Sequence, residues 1–117
     1  MFSKEVVILH NPRCSKSRKA LAILKENDIT PEVVEYLKTP PTAKQITLIL
    51  QKLNKEPLDI VRKNEELYKE NFKAESYDNH EWVEILSQHP ILIERPIIIL
   101  GEKAVLARPP EKVLELI

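Results

Sequence analysis

The chain has 117 residues, 43% hydrophobic and 31% charged, as in an ordinary globular domain. Its 18 basic and 18 acidic residues cancel, so neither nucleic acid nor an anionic membrane surface is expected as a partner. No apolar run approaches the roughly 20 residues that span a bilayer, and the first residues contain no signal-peptide cleavage site. One cysteine, Cys14, excludes an internal disulfide. We therefore expect a single cytoplasmic domain, residues 1–117.

The first third of the sequence predicts a strand, a helix and a second strand. The apolar run 6–9 is typical of a buried strand, and Pro12 interrupts it because proline fixes φ and lacks an N–H donor. Apolar residues then recur at helical spacing from about Ser15 until the helix frays near Asn27. The β-branched run 32–37 predicts the second strand, and this order of elements is typical of a parallel βαβ unit.

A helical insertion, from about residue 43 to residue 90, follows a proline-rich break. Thr42 with Gln45 three residues later is a capping-box signature, and Asp78 with Glu81 repeats it. The stretch between these two signatures is polar and irregular. The helix that Thr42 opens is predicted to bury one apolar face, made by Ile46, Ile49, Leu50 and Leu53.

The last part of the sequence predicts a β-hairpin and a short helix. The runs 97–100 and 104–107 flank a three-residue loop at 101–103. Pro110 begins the final helix, with Val113, Leu114 and Ile117 predicted to point inward. The order of elements is that of the thioredoxin/glutaredoxin fold, an α/β core with a mixed four-stranded sheet and here a helical insertion.

Cys14 lies at or just before the first turn of the first predicted helix. Free N–H groups and the helix dipole stabilise an anion there, and Arg13, Lys16 and Arg18 add positive charge. Most free cysteines are small buried hydrophobes, but this setting favours a reactive thiolate with a pKa below about 8.5. The motif that ends at Ser17 is Cys-x-x-Ser, in which serine cannot resolve a disulfide. The reducing electrons must therefore come from another thiol.

Histidine, arginine and proline residues supply further candidates. His10 precedes the turn, where either a contact with Cys14 or a purely backbone-satisfied position is open, and no histidine spacing indicates a metal site. Arg95 and Arg108 bracket the predicted hairpin, and Arg62 follows an apolar segment. Because guanidinium groups bind tetrahedral oxyanions, these arginines indicate an arsenate, phosphate or sulfate site. Pro96 opens an interior strand, an unusual place for proline.

Several separated motifs, in order over nearly the whole chain, resemble the glutaredoxin-linked arsenate reductase (ArsC) family. The resemblance implies a thioredoxin-like core in which Cys14 attacks arsenate. It also implies that His10, Ser17 and Arg18 stabilise the thiolate, that Arg62, Arg95 and Arg108 hold the oxyanion, and that Pro96 follows a cis bond. The matching stretches are His10-Asn11-Pro12-Arg13-Cys14-Ser15-Lys16-Ser17-Arg18, Tyr36-Leu37, Pro40-Pro41-Thr42, Leu92-Ile93-Glu94-Arg95-Pro96-Ile97 and Arg108-Pro109-Pro110-Glu111.

The resemblance further implies glutathione as co-substrate, glutaredoxin as protein partner, arsenite as product, no bound cofactor and a monomeric protein. Two features depart from the family pattern. Ser15-Lys16 stands where the well-studied reductases carry glycine and threonine, and Ala107 stands where glycine is common. Two alternatives are a thiol oxidoreductase acting on glutathionylated or otherwise oxidised thiols, and a regulatory binding protein like the Spx-type transcription regulators. Those regulators often carry a Cys-x-x-Cys switch, which this chain cannot form.

Overall fold

The computed structural model describes residues 4–117; residues 1–3, part of the stretch without a cleavage site, lie outside it. Two compact units make up this range, one from residues 4–39 and 95–117 and the other from Pro40–Glu94. No helix in the described range is long and apolar enough to cross a membrane. The strands and helices are β1 Val6–His10, α1 Ser15–Glu26, β2 Glu32–Glu35, α2 Ala43–Leu53, α3 Glu66–Asn71, α4 Asn79–Gln88, β3 Ile97–Leu100 and β4 Lys103–Leu106, with 3₁₀ helices at Pro57–Ile60, Pro90–Leu92 and Pro110–Glu115.

The first unit is built on a four-stranded sheet in the order β2-β1-β3-β4. Strand β1 runs parallel to β2 and antiparallel to β3, and β4 runs antiparallel to β3. The predicted α/β fold with a mixed sheet is therefore confirmed. Leu9 pairs with Ile97, which also pairs with Leu106. The residues that follow β1, precede β3 and follow β4 consequently meet at one edge of the sheet.

Helix α1 and the last 3₁₀ helix cover this sheet. Ile8 and Ile98 of the sheet, Leu24 of α1 and Val113 of the 3₁₀ helix are completely buried in one core, and burial of each such side chain contributes about 1.5–3 kcal/mol. The prediction that Leu114 and Ile117 also point inward was wrong, since they are 53% and 42% exposed. A 3₁₀ helix has three residues per turn, so Leu116 rather than Leu114 packs beside Val113.

Strand and loop boundaries in this unit differ from the prediction, among them the end of β4, which lies at Leu106 instead of residue 107. Strand β2 ends at Glu35 instead of residue 37, because the Glu35 carbonyl accepts hydrogen bonds from the N–H groups of Lys38 and Thr39 in a turn. The hairpin loop has two residues instead of three, since Lys103 already pairs with Leu100. Gly101 opens this loop at φ 58°, a conformation that suits glycine.

The second unit, Pro40–Glu94, is the helical insertion. Both predicted capping boxes are present: Thr42 Oγ1 accepts from the Gln45 N–H at 3.1 Å, and Asp78 Oδ1 accepts from the Glu81 N–H at 2.8 Å. Helix α2 buries the predicted apolar face. Rings from α3, α4 and the flanking turns form an aromatic cluster of Tyr68, Phe72, Tyr77, Trp82 and His89. The expectation of one domain over residues 1–117 stays a prediction.

Candidate active site

A tight turn joins β1 to α1 and sets the position of Cys14. The Asn11 carbonyl accepts from the Cys14 N–H at 3.0 Å, and Asn11 Oδ1 accepts from the Arg13 N–H at 3.0 Å. A side-chain bond to the backbone two residues on is an Asx turn, which asparagine favours. Cys14 then caps α1 in an extended conformation, φ −92° and ψ 121°. The thiol therefore stands at the positive end of the helix, the place that the sequence predicts.

The Cys14 thiol is half-buried and acidic. Burial, the largest single influence, raises the pKa of the Cys14 thiol, since a thiolate loses solvation there. The N–H of Ser17, the charge of Arg95, the N–H of Lys16 and a hydrogen bond from the Arg95 guanidinium together outweigh burial, so the pKa of Cys14 lies below its ordinary value. The first turn of α1 and one arginine from outside the helix thus favour the thiolate.

Arg95 and Arg108 meet at the sheet edge that carries Cys14. Nη1 of Arg108 donates to the Arg95 carbonyl oxygen at 3.1 Å. The Nε atom of Arg95 is buried and has no hydrogen-bond partner within residues 4–117, which is uncommon for a buried polar atom. The Arg95–Pro96 peptide bond is cis, the geometry that the resemblance implies, and the Arg108–Pro109 bond is cis as well.

His10 and Ser17 form a buried pair behind the turn. His10 is 6% exposed and Ser17 is fully buried. His10 Nδ1 lies 2.6 Å from Ser17 Oγ in a hydrogen bond, and Ser17 Oγ also accepts from the Asn11 N–H at 3.1 Å. Burial lowers the pKa of His10, opposed by the Glu35 charge and assisted by those of Arg18 and Lys25. Ser17 therefore contacts the loop through its hydroxyl, while its backbone N–H lowers the pKa of the Cys14 thiol.

Arg18 forms hydrogen bonds with the turn between β1 and α1. Its Nη1 atom donates to the Pro12 carbonyl at 2.9 Å, and its backbone N–H donates to the Cys14 carbonyl at 3.0 Å. These contacts hold the turn closed around the thiol. That Arg18 and His10 stabilise the thiolate stays a prediction. Through the contacts above, both residues could act on the thiol indirectly, by fixing the conformation of the turn that carries it.

Arg62 belongs to the insertion unit, where carboxylates surround it. Nη1 of Arg62 lies 3.0 Å from Glu65 Oε2, and Nε lies 3.9 Å from Glu94 Oε1. Nη1 also donates to the Ile91 carbonyl at 3.3 Å. The guanidinium therefore has its ion pairs inside this unit, and its predicted contact with an oxyanion stays a prediction.

Two contributors to the site carry weak sequence signals. The Asn-Pro pair indicates a chain break, but the side-chain bond of Asn11 becomes apparent only in the folded turn. The action of Arg95 on the free thiol had no local signal, since the sheet register alone brings it to Cys14. Within residues 4–117, no three His, Cys, Asp or Glu side chains are grouped to hold a metal ion.

Comparison with known proteins identifies a family that matches nearly the whole chain. The ArsC family model matches residues 9–116. The uncharacterized protein YfgD of Escherichia coli (strain K12) is 44% identical over 118 residues, covering 99% of both chains. A Neisseria meningitidis protein named arsenate reductase is 41% identical over 93% of this chain and 95% of its own. The solved structure of the arsenate reductase from Vibrio cholerae superposes with a TM-score of 0.92 at 42% identity, covering 96% of this chain and 97% of that one.

Proposed function

Because this chain belongs to the ArsC family, we propose that it is an arsenate reductase in which the Cys14 thiolate attacks arsenate. The observation that carries the proposal is the half-buried Cys14 thiol with a lowered pKa, set at the start of α1 against the Arg95 guanidinium. A thiolate is the nucleophilic form of cysteine. Preorganised donors beside it stabilise the oxyanion charge that develops during attack.

The electron count requires a reductant from outside the chain. Reduction of arsenate to arsenite consumes two electrons, and a chain with one cysteine cannot supply them by forming an internal disulfide. In the proposed cycle, Cys14 sulfur displaces one arsenate oxygen as water and forms a sulfur–arsenic(V) bond. Glutathione displaces a second oxygen in the same way.

Glutaredoxin completes the proposed reduction. Its thiolate attacks the glutathione sulfur and forms a mixed disulfide, and the electron pair of the broken sulfur–arsenic bond stays on arsenic, which becomes arsenic(III). Hydrolysis of the remaining bond to Cys14 releases arsenite and restores the thiol. Glutathione is thus a co-substrate and glutaredoxin a protein partner in this proposal, which also places a monomeric enzyme in the reducing cytoplasm.

The arginines have distinct positions in this proposal. Arg95 has a buried Nε donor beside the thiol, so it is the primary oxyanion ligand. Arg108 is in contact with the Arg95 backbone and is proposed as a second ligand. Arg62 is proposed as a third ligand on the family resemblance alone, since in the structure it contacts Glu65, Glu94 and the Ile91 carbonyl.

Arsenite formation by the wild type and the Cys14→Ser variant tests the proposal. Glutathione and glutaredoxin are supplied together and then singly, and Ser15→Ala is the matched control, because Ser15 is an exposed neighbour of Cys14. We expect turnover in the wild type and in Ser15→Ala only with both reductants, and none in Cys14→Ser. Equal turnover in Cys14→Ser would refute the proposal.

Two further measurements, made beside this assay, distinguish the alternative functions. A reactive Cys14 without arsenite formation, but with turnover of glutathionylated peptides, would identify a thiol oxidoreductase. Stable capture of RNA polymerase without any thiol turnover would identify a regulatory protein.

A further inference from the structure

The segment that follows β4 forms hydrogen bonds with the backbone of Arg95 and Pro96, just before β3. The Ala107 N–H donates to the Pro96 carbonyl at 3.0 Å, and Nη1 of Arg108 donates to the Arg95 carbonyl at 3.1 Å. Two successive carbonyl groups before β3 therefore have their partners on one segment. The Arg108 contact is half-buried, where a charge-assisted bond is stronger than one in bulk water.

Arg95 needs such support because it lies outside the sheet. Strand β3 begins at Ile97, and its pairing with β1 and β4 does not extend to the residues just before Ile97. The ladder therefore does not fix the backbone of Arg95. Its guanidinium nevertheless acts on the Cys14 sulfur, because both its charge and its N–H donors lower the pKa of the thiol.

We propose that Arg108 is a positioning residue for Cys14, holding the Arg95 guanidinium against the thiol through its hydrogen bond to the Arg95 carbonyl. A guanidinium carries five N–H donors in a rigid fork, and the Nη1 atom of Arg108 uses one of them to hold the Arg95 carbonyl. This role rests on Cys14 being the nucleophile of the proposed function. It does not require arsenate, because the contact joins two groups of the chain itself.

The pH dependence of Cys14 alkylation separates this role from oxyanion binding alone. The protein is labelled with iodoacetamide at a series of pH values in buffer free of phosphate, sulfate and arsenate, and mass spectrometry measures the labelling rate. The midpoint of the rate against pH reports the thiol pKa. The variants are Arg108→Gln, Arg95→Gln and the double variant. We expect Arg108→Gln to raise the midpoint toward that of Arg95→Gln, and to add nothing in the Arg95→Gln background. Such non-additivity is expected for residues that act through one contact.

Lys112→Gln is the matched control, because it removes one exposed positive charge from the segment that carries Arg108; we expect its midpoint to equal that of the wild type. Arg108→Lys keeps the positive charge on one nitrogen atom of a shorter side chain, and should shift the midpoint in the same direction by less. It replaces Arg108→Gln in the comparison if the glutamine variant does not fold.

Two results would overturn the inference. One is a wild-type midpoint in Arg108→Gln, which would limit Arg108 to oxyanion contact. The other is an equal upward shift with and without the Arg95 side chain, which would mean that Arg108 acts by its charge. Because the assay contains no arsenate, a failure of arsenite formation would count against the proposed function and leave this result intact.

Discussion

Replacing Ser17 by alanine removes one oxygen atom from the buried side of the turn that carries Cys14. The change leaves His10 Nδ1 and the Asn11 N–H without their partner, the first buried and the second half-buried. An unsatisfied buried polar group costs about 1–3 kcal/mol. The half-buried N–H regains part of this cost from water. We therefore expect the free energy of unfolding to fall by about 2–3 kcal/mol.

The same substitution should leave the acidity of the thiol nearly unchanged. The Ser17 group that lowers the pKa of Cys14 is the backbone N–H, and alanine keeps it. Urea unfolding followed by circular dichroism gives the stability, and the alkylation midpoint gives the acidity. The expected loss of about 2–3 kcal/mol in the free energy of unfolding corresponds to a melting temperature roughly 8–12 °C lower. Ser15→Ala is the control, because Ser15 is exposed at the start of α1.

A higher alkylation midpoint in Ser17→Ala together with unchanged stability would refute this reasoning. That result would mean that the Ser17 hydroxyl acts on the thiolate itself, the role implied by the family resemblance. Equal stability losses in Ser17→Ala and Ser15→Ala would also contradict it, because the buried hydrogen bonds would then contribute nothing.

Three further predictions follow from particular groups. Alkylation of Cys14 should have a lower pH midpoint in the folded chain than in the urea-unfolded chain, since folding lowers the pKa of the thiol; an equal or higher midpoint in the folded chain would contradict the site description. Burial lowers the pKa of His10, so this residue makes the free energy of unfolding fall as the pH drops below about 6.5. His10→Asn should make that fall shallower in urea titrations at a series of pH values, and parallel pH curves for the variant and the wild type would contradict the prediction. Thr42→Ala removes the cap of α2 and should cost about 1 kcal/mol, more than Thr47→Ala within the same helix.

Local chemistry made much of the fold predictable from the sequence. The capping boxes at Thr42 and Asp78 depend on residues three positions apart, so their signatures apply wherever the helix packs. Pro12 and the helical spacing after it likewise place Cys14 at a helix start. The helix type at the C-terminus was less accessible, because α and 3₁₀ periodicity differ little over six residues, and the inward position of Leu114 was therefore predicted wrongly.

The electrostatics of the site were harder to predict, because they depend on sheet register. The pairing of Leu9 with Ile97 brings Arg95 to the turn that holds Cys14, and no spacing in the sequence encodes that register. The loop length at Gly101 also depends on which residues pair across the strands. Sequence distance also hid the contact of Arg62 with Glu94, which lies far from it along the chain; Glu65, only three residues from Arg62, was overlooked although its spacing is local.

The central claim is that arsenate binds next to the Cys14 thiolate, in contact with Arg95. Protection of Cys14 from alkylation by arsenate tests this claim most directly. The rate of iodoacetamide alkylation is measured by mass spectrometry at increasing arsenate concentration and neutral pH, without any reductant. We predict that arsenate slows alkylation with a saturating dependence, and that Arg95→Gln weakens this protection. Alkylation that is indifferent to arsenate at every concentration would contradict the claim.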